Sequence, residues 1–242
     1  QPPPLDARLA HRYLRDFASV EEHSQREPEV ENVDIQTYNT ATGQTPVTIL
    51  PTLMRKQPDV VIVRDLVNQQ TLEFLCQQAT DEVLVLSTTR AKEAVESLLR
   101  VLLLKVPPAD FAPIIKAVVN QRLIRKLCDA CKEAYVPKAE LLAKLGIPKG
   151  RIETLYREPQ NRTEEEGICE KCNGIGYRGR TSIFELLVIN DNLRDVLVKE
   201  PKLEVLRKAA KSGGHWSLQE EGIALVASGT TSLPELMRVL KQ

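Results

Sequence analysis

The chain has 242 residues, 42% hydrophobic and 27% charged, enough apolar content for one large domain or two small ones. Its 33 basic and 33 acidic residues cancel, which excludes attraction of nucleic acid or an acidic membrane through bulk charge, and aromatics at 4% leave little for a base-stacking surface. No apolar run reaches the ~20 residues of a membrane span, and Gln1-Pro2-Pro3-Pro4 is neither a basic nor an apolar leader.

The first residue is not Met, as expected of an excised fragment. With no export signal a reducing compartment is expected, where the five cysteines read as thiols or metal ligands. Leu5, Leu9, Tyr13, Leu14 and Phe17 recur at helical spacing and predict an amphipathic helix. Val33–Tyr38 reads as a short strand, residues 39–46 as a turn-rich loop and residues 50–55 as a helix. Val60-Val61-Ile62-Val63 and Val83-Leu84-Val85-Leu86 are continuous apolar runs around a helical pattern at 72–79. Together they predict a βαβ unit in a buried parallel sheet, hence an α/β fold. Further helices are expected over 91–104 and, after Pro107-Pro108, over 111–127. A helix-like piece follows at 140–145, and from Phe184 onward the pattern reads as helical. Ser217 with Glu220 and Ser232 with Glu235 predict capping boxes, and Gly229 a helix C-terminus.

Cys128-Asp-Ala-Cys131 and Cys169-Glu-Lys-Cys172 are two C-x-x-C knuckles. Two intervening residues let both sulfurs of a knuckle face one tetrahedral centre at about 2.3 Å, so two knuckles make a closed four-sulfur zinc site of the structural kind. The spacer is roughly twice the usual ~15–20 residues, which a looped-out helix accommodates. Lys132 and Lys171 are placed to offset part of the centre's negative charge. Four unrelated thiols or two redox pairs are the alternatives, but a redox C-x-x-C belongs at a strand-to-helix turn. Cys76 reads as a buried small hydrophobe, and Arg122, Arg125, Lys126, Arg178 and Arg180 as solvated or subunit-facing charge.

Residues 58–65, Pro-Asp-Val-Val-Ile-Val-Arg-Asp, have the outline of a Walker B strand, whose chemistry needs a carboxylate at the strand's carboxyl end to hold Mg²⁺ or its water. The neighbouring run ends in Ser87-Thr88, polar groups suited to a γ-phosphate. No G-x-x-x-x-G-K-[ST] occurs in the sequence.

The order of these pieces resembles the ATPases of type II secretion and type IV pilus assembly. Val20-Glu21-Glu22-His23 resembles the family's acidic box, and Leu53-Met54-Arg55-Lys56-Gln57-Pro58-Asp59 its L-x-R-x-x-P-D. Leu86-Ser87-Thr88 matches L-S-T, and Gln121-Arg122-Leu123-Ile124-Arg125-Lys126-Leu127-Cys128 the run into the first knuckle. Gly176-Tyr177-Arg178-Gly179-Arg180 through Glu185-Leu186-Leu187 matches G-Y-x-G-R-x-x-x-x-E-L-L, and Gly229-Thr230-Thr231 with Glu235-Leu236 fits the tail. The resemblance runs from about Val20 to the end.

It implies a partial RecA-like sheet without its P-loop over residues 1–127, a tetracysteine zinc insertion over 128–180 and a C-terminal helical domain over 181–242. It also implies a homo-oligomer, usually a hexameric ring, working with inner-membrane platform proteins on the cytoplasmic side. The family's Gly-Glu is here Arg64-Asp65, its T-G-H is Thr80-Asp81-Glu82, and its histidine box becomes Ser87-Thr88-Thr89-Arg90-Ala91-Lys92. His23 replaces a proline; His11, His23 and His215 are read as structural or exposed.

Three readings follow. In the first, the chain is the C-terminal part of such a protein with a degenerate nucleotide site; it packs and transmits and does not hydrolyse ATP alone. In the second it belongs to a working ATPase whose P-loop lies upstream. There Asp65 acts with Mg-ATP, Glu21 or Glu22 orients water, and Arg55, Ser87 and Thr88 contact nucleotide. In the third it is a zinc-ribbon nucleic-acid binder, which lacks the charge and aromatic platforms such a protein needs.

Overall fold

The computed structural model describes residues 15–66, 68–79, 83–144, 147, 153–160 and 168–241. The chain divides into two compact units, one built from the residues up to Ala117 plus Val188–Gly213, the other from Val118–Leu187 plus Gly214–Gln242. Among the described residues no helix is long and apolar enough to cross a membrane.

The first unit is a layered α/β structure around a four-stranded sheet. Strand β1 (Phe17–Glu22) lies between β2 (Val33–Tyr38) and β3 (Val60–Val63), and β3 pairs with β4 (Leu84–Ser87), giving the order β2-β1-β3-β4. All three pairings are parallel, with Phe17 opposite both Val33 and Val60, and Val60 opposite Leu84. The expected βαβ unit is therefore present. Its helix is α2 (Gln69–Gln78), started by Asn68, whose side chain accepts from Thr71 N–H at 2.8 Å. On one face of the sheet Ala18, Val20, Val61 and Val63 form a core with Leu75 of α2 and with Leu50 and Leu53 of α1 (Pro46–Met54). The unit is completed by α3 (Ala94–Leu102), α4 (Pro108–Phe111) and, from late in the chain, α6 (Asp191–Lys199) and α7 (Leu203–Ser212). Glu93, which starts α3, pairs with Arg207 of α7 at 2.6 Å.

The second unit is led by β5 (Ala117–Leu127), paired with β8 (Tyr177–Val188) in a two-stranded sheet. Cys128 N–H donates to Gly176 O (2.9 Å) at one end and Ile189 N–H to Lys116 O (3.0 Å) at the other, so the strands run antiparallel. One face buries Ile124 and Ile183 against Leu218 and Val226 of α8 (Leu218–Ala227) and Leu233, Leu236 and Val239 of α9 (Leu233–Leu240). A smaller antiparallel pair, β6 (Glu133–Tyr135) with β7 (Leu155–Arg157), and the short α5 (Ala139–Lys144) lie between the knuckles in sequence.

Two expected helices are strands. Residues 111–127 form the end of α4 and then β5, because pairing with a strand some 60 residues away overrides a periodicity that helix and strand share. Residues 184–188 continue β8: Ile183, Glu185 and Leu187 point inward and Phe184, Leu186 and Val188 outward, an alternation hidden by apolar residues on both faces. Phe17, read as the end of the first helix, opens β1; the rest of that helix and Thr80-Asp81-Glu82 lie outside the described residues. Ser217 and Glu220 form the full capping box. At Ser232 the hydroxyl accepts from Glu235 N–H (3.3 Å), while the Glu235 carboxylate is engaged by Arg125 and Arg238.

Candidate metal centre and strand-tip site

The four cysteines converge in the second unit. Cys128 follows β5 directly, and its backbone is fixed to Gly176 at the start of β8. Each knuckle closes with a turn: Cys131 N–H donates to Cys128 O at 3.1 Å, and Cys172 N–H to Cys169 O at 3.3 Å. Gly176 N–H donates to Cys172 Sγ at 3.3 Å. Gly176 itself has φ +80°, and a Cβ there would stand 2.6 Å from Glu158 Cβ, so only glycine lets the chain leaving the second knuckle pass Glu158 this closely.

The sulfurs all lie within 4.8 Å of one another, with Cys128–Cys169 at 4.0 Å and Cys131–Cys172 at 3.6 Å. Four sulfurs about 2.3 Å from a tetrahedral ion stand about 3.8 Å apart, so the set fits such an ion. A disulfide would need about 2.05 Å, and all four are free thiols. Cys128 and Cys172 are buried and the other two half-buried. Backbone N–H groups of Cys172 and Lys171 draw the Cys169 thiol below its ordinary range, whereas burial pushes Cys131 up. Of the two lysines expected beside the centre, Lys132 is turned aside to Asp129 (2.7 Å) and Gly229 O (3.2 Å).

A polar lattice ties this hairpin to the C-terminal helices. The Tyr177 hydroxyl lies 2.7 Å from Glu158 and 2.6 Å from Ser232, and Arg125 stacks over its ring at 4.2 Å. Burial alone would raise the Glu235 carboxyl, but bonds from Arg238 and Arg125 hold it down at about 2. Glu185, 2% exposed, holds Asn120 (3.2 Å) and His215 Nε2 (2.8 Å). Apart from the i,i+3 pair of Glu235 with Arg238, these partnerships carry no short-range sequence signal; only a buried acid between apolar neighbours, as at Glu185, hints that a distant partner exists.

In the first unit, parallel strands place Glu21, Glu22, Asp65, Ser87 and Thr88 at one end of the sheet, the carboxyl end where α/β proteins gather ligands. Each is held locally. Glu21, 5% exposed, accepts from the Ser19 hydroxyl (2.8 Å) and from Glu27 N–H (3.1 Å). Glu22 accepts from the hydroxyl and N–H of Ser24 and from Thr40 (3.2 Å), and the Ser24 hydroxyl lowers its pKa. Asp65 has φ +54°, its N–H donates to Thr88 Oγ1 (3.0 Å), and Thr88 returns a bond to its carboxylate (3.3 Å). The Ser87 hydroxyl donates to Val63 O at 2.6 Å. Arg64 bends back to an ion pair with Glu27 and a bond to Gln25 O. Arg55 is not brought to this group. It ends α1, next to Lys56, whose ammonium pairs with Asp34 near the start of β2, at the opposite end of the sheet.

A model of the family described as type II/IV secretion system protein matches residues 12–238. The chain belongs to this family. Among curated secretion-family relatives, it is 28% identical over 214 residues to the type IV pilus assembly ATPase PilB of Thermus thermophilus, covering 87% of this chain and 23% of that protein. It is 33% identical over 193 residues to the type II secretion system ATPase E of Vibrio cholerae, covering 80% and 37%. The chain thus spans well under half the length of these relatives. The fold is similar to those of the pilus retraction motor PilT with bound ADP (TM-score 0.57, 16% identity, 92% of this chain and 51% of that one) and the ATPase DotB of Legionella pneumophila (TM-score 0.56, 12% identity, 94% and 53%).

Proposed function

We propose that this chain is a packing and force-transmitting part of a type II secretion or type IV pilus motor, with a structural zinc ion held by Cys128, Cys131, Cys169 and Cys172 and a nucleotide site that does not turn over by itself. In this reading the β1–β4 sheet with its helices is the remnant of a RecA-like nucleotide domain, residues 128–180 are the zinc insertion, and the helical part begins after β8, later than the expected residue 181. The protein works in a homo-oligomeric ring against inner-membrane platform proteins on the cytoplasmic side. The zinc supplies no reaction step; it clamps the two knuckles, whose thiolates carry its charge.

The observation that carries the proposal is that the carboxylates described at the strand tips are engaged by protein groups, Glu21 by Ser19 and Glu27, Glu22 by Ser24 and Thr40, and Asp65 by Thr88 of the neighbouring strand end. Phosphoryl transfer depends on such groups being aimed at metal and water. The cation Arg64, where the family it resembles has glycine, points the same way. A second reading, a working ATPase completed by a Walker A loop upstream, is favoured by the gathering of Asp65, Ser87 and Thr88 at one sheet end. Mg-ATP turnover by the full-length polypeptide separates the two. No turnover above background is expected; turnover abolished by Asp65→Ala would replace the first reading by the second.

A further inference from the structure

Beside the cysteine cluster lies a recess of about 370 Å³. Residues 127–130 and Gly179 line it, and three cations stand around it. They come from three separate stretches of chain: Lys126 from the end of β5, Lys171 from the second knuckle and Arg178 from the start of β8. All three are exposed, and none makes an ion pair among the described residues. The contrast with the basic residues around them is plain. Arg125 and Arg238 are paired with Glu235, Lys132 with Asp129 and Arg157 with Glu133. The one carboxylate on the recess, Asp129, is already held by Lys132.

Asp129 is attracted by Lys126 and Lys171 as well as by Lys132, so one carboxylate is shared among several cations and the recess keeps a net positive charge. The sulfurs of a loaded metal centre offset part of that charge from behind. They do not account for cationic heads that face water, nor for Ile168 and Ile175, which flank the same knuckle and are 75% and 64% exposed. A cationic recess, with exposed aliphatic side chains next to the same knuckle in sequence, suits an extended ligand that is acidic and apolar by turns. A bilayer surface is flat and cannot enter the recess.

We propose that this recess docks an acidic peptide segment of a partner protein, its carboxylates meeting Lys126, Lys171 and Arg178 and an apolar side chain covering Ile175. The proposal needs only the folded cysteine hairpin, and it stands or falls separately from the question of ATP turnover. Binding is steered by charge, so it weakens with rising salt.

The test uses fluorescence anisotropy of a short labelled peptide of alternating glutamate and leucine, titrated with the chain at its native metal content. Saturable binding is expected, weakened about tenfold or more when Lys126→Glu, Lys171→Glu and Arg178→Glu are combined. The pair Lys208→Glu and Lys211→Glu, which belongs to the other unit, leaves it unchanged. A lysine–leucine peptide is expected to bind the triple variant in place of the original. Metal content and circular dichroism verify folding; should the triple variant lose its metal, Lys171→Glu and Arg178→Ala singly, each expected to weaken binding about threefold, answer the same question. Equal affinity in the triple variant, or equal binding of a glutamine–leucine peptide, overturns the proposal. Tighter binding of inorganic pyrophosphate or of phosphatidylglycerol vesicles, lost in the same variant, overturns it in favour of a phosphate site.

Discussion

The cysteine hairpin and the strand-tip group are both places where polar side chains from distant parts of the chain collect, yet they are organised in opposite ways. In the hairpin, four sulfurs from two knuckles point at one shared centre, and the backbone around them is bent to permit it. At the strand tips, five polar residues reach the same end of a sheet but share no centre: Glu21 and Glu22 bond to residues around β1, Ser87 to a backbone carbonyl, and Asp65 and Thr88 to each other. Proximity imposed by a parallel sheet is inherited from the fold; convergence on a point has to be built. The first unit has the former and the second has the latter.

The largest effect is expected where convergence is interrupted. Cys169→Ser should abolish stoichiometric zinc and cost about 4 kcal/mol or more, because a structural site contributes its binding energy to folding. Metal analysis with thermal unfolding, with and without chelator, reads both, and full zinc content in the variant would show that the ligand set is wrong. Next comes the carboxylate under the hairpin. Glu235 is depressed from 4.5 to about 2, so its contribution is complete above about pH 4.5 and is lost as pH falls towards 2. That shift corresponds to about 3 kcal/mol. Urea unfolding between pH 6 and 2 should show the loss, and Glu235→Gln should be weaker at pH 6 with a flatter acid limb; an unchanged limb would remove Glu235 from the account.

A smaller loss, about 2–3 kcal/mol, is expected for Gly176→Ala, which places a methyl on Glu158 in a left-handed backbone. Native-like stability there would mean that the knuckle approach is not tight. The least effect belongs to the strand tips. Asp65→Asn keeps a residue that tolerates positive φ and should stay within about 0.5 kcal/mol of the parent. A cost as large as that of Gly176→Ala would show that the two regions differ less than their geometry indicates.

The hairpin was legible because its chemistry is written in spacing: two residues between thiols place two sulfurs on one centre whatever the intervening chain does. The parallel sheet was legible for a similar reason, since Val60–Val63 and the run ending at Leu86 are uninterrupted apolar stretches around one helix. Residues 117–127 and 184–188 were not. Their apolar positions satisfy helical and extended periods alike, and what decides between them is the pairing of β5 with β8, a contact across about 60 residues of sequence. The closed carboxylates at the strand tips were equally hidden. Glu21 and Glu22 look available in the sequence, and only the backbone turn after β1 brings Ser24 and Glu27 onto them. Glu235 looks like half of a capping box until Arg125 arrives from 110 residues away.

Opposing sulfurs in the hairpin stand 41 positions apart along the chain. At the ~5–20 residues per second of translation, the leading pair leaves the ribosome roughly 2–8 seconds before its counterpart. During that interval Cys128 and Cys131 are an open chelate with two hands, exposed to whatever metal or oxidant is nearby. The last turn of the site closes only when Gly176 has emerged to let the second knuckle in, so maturation of this half of the molecule is timed by the ribosome.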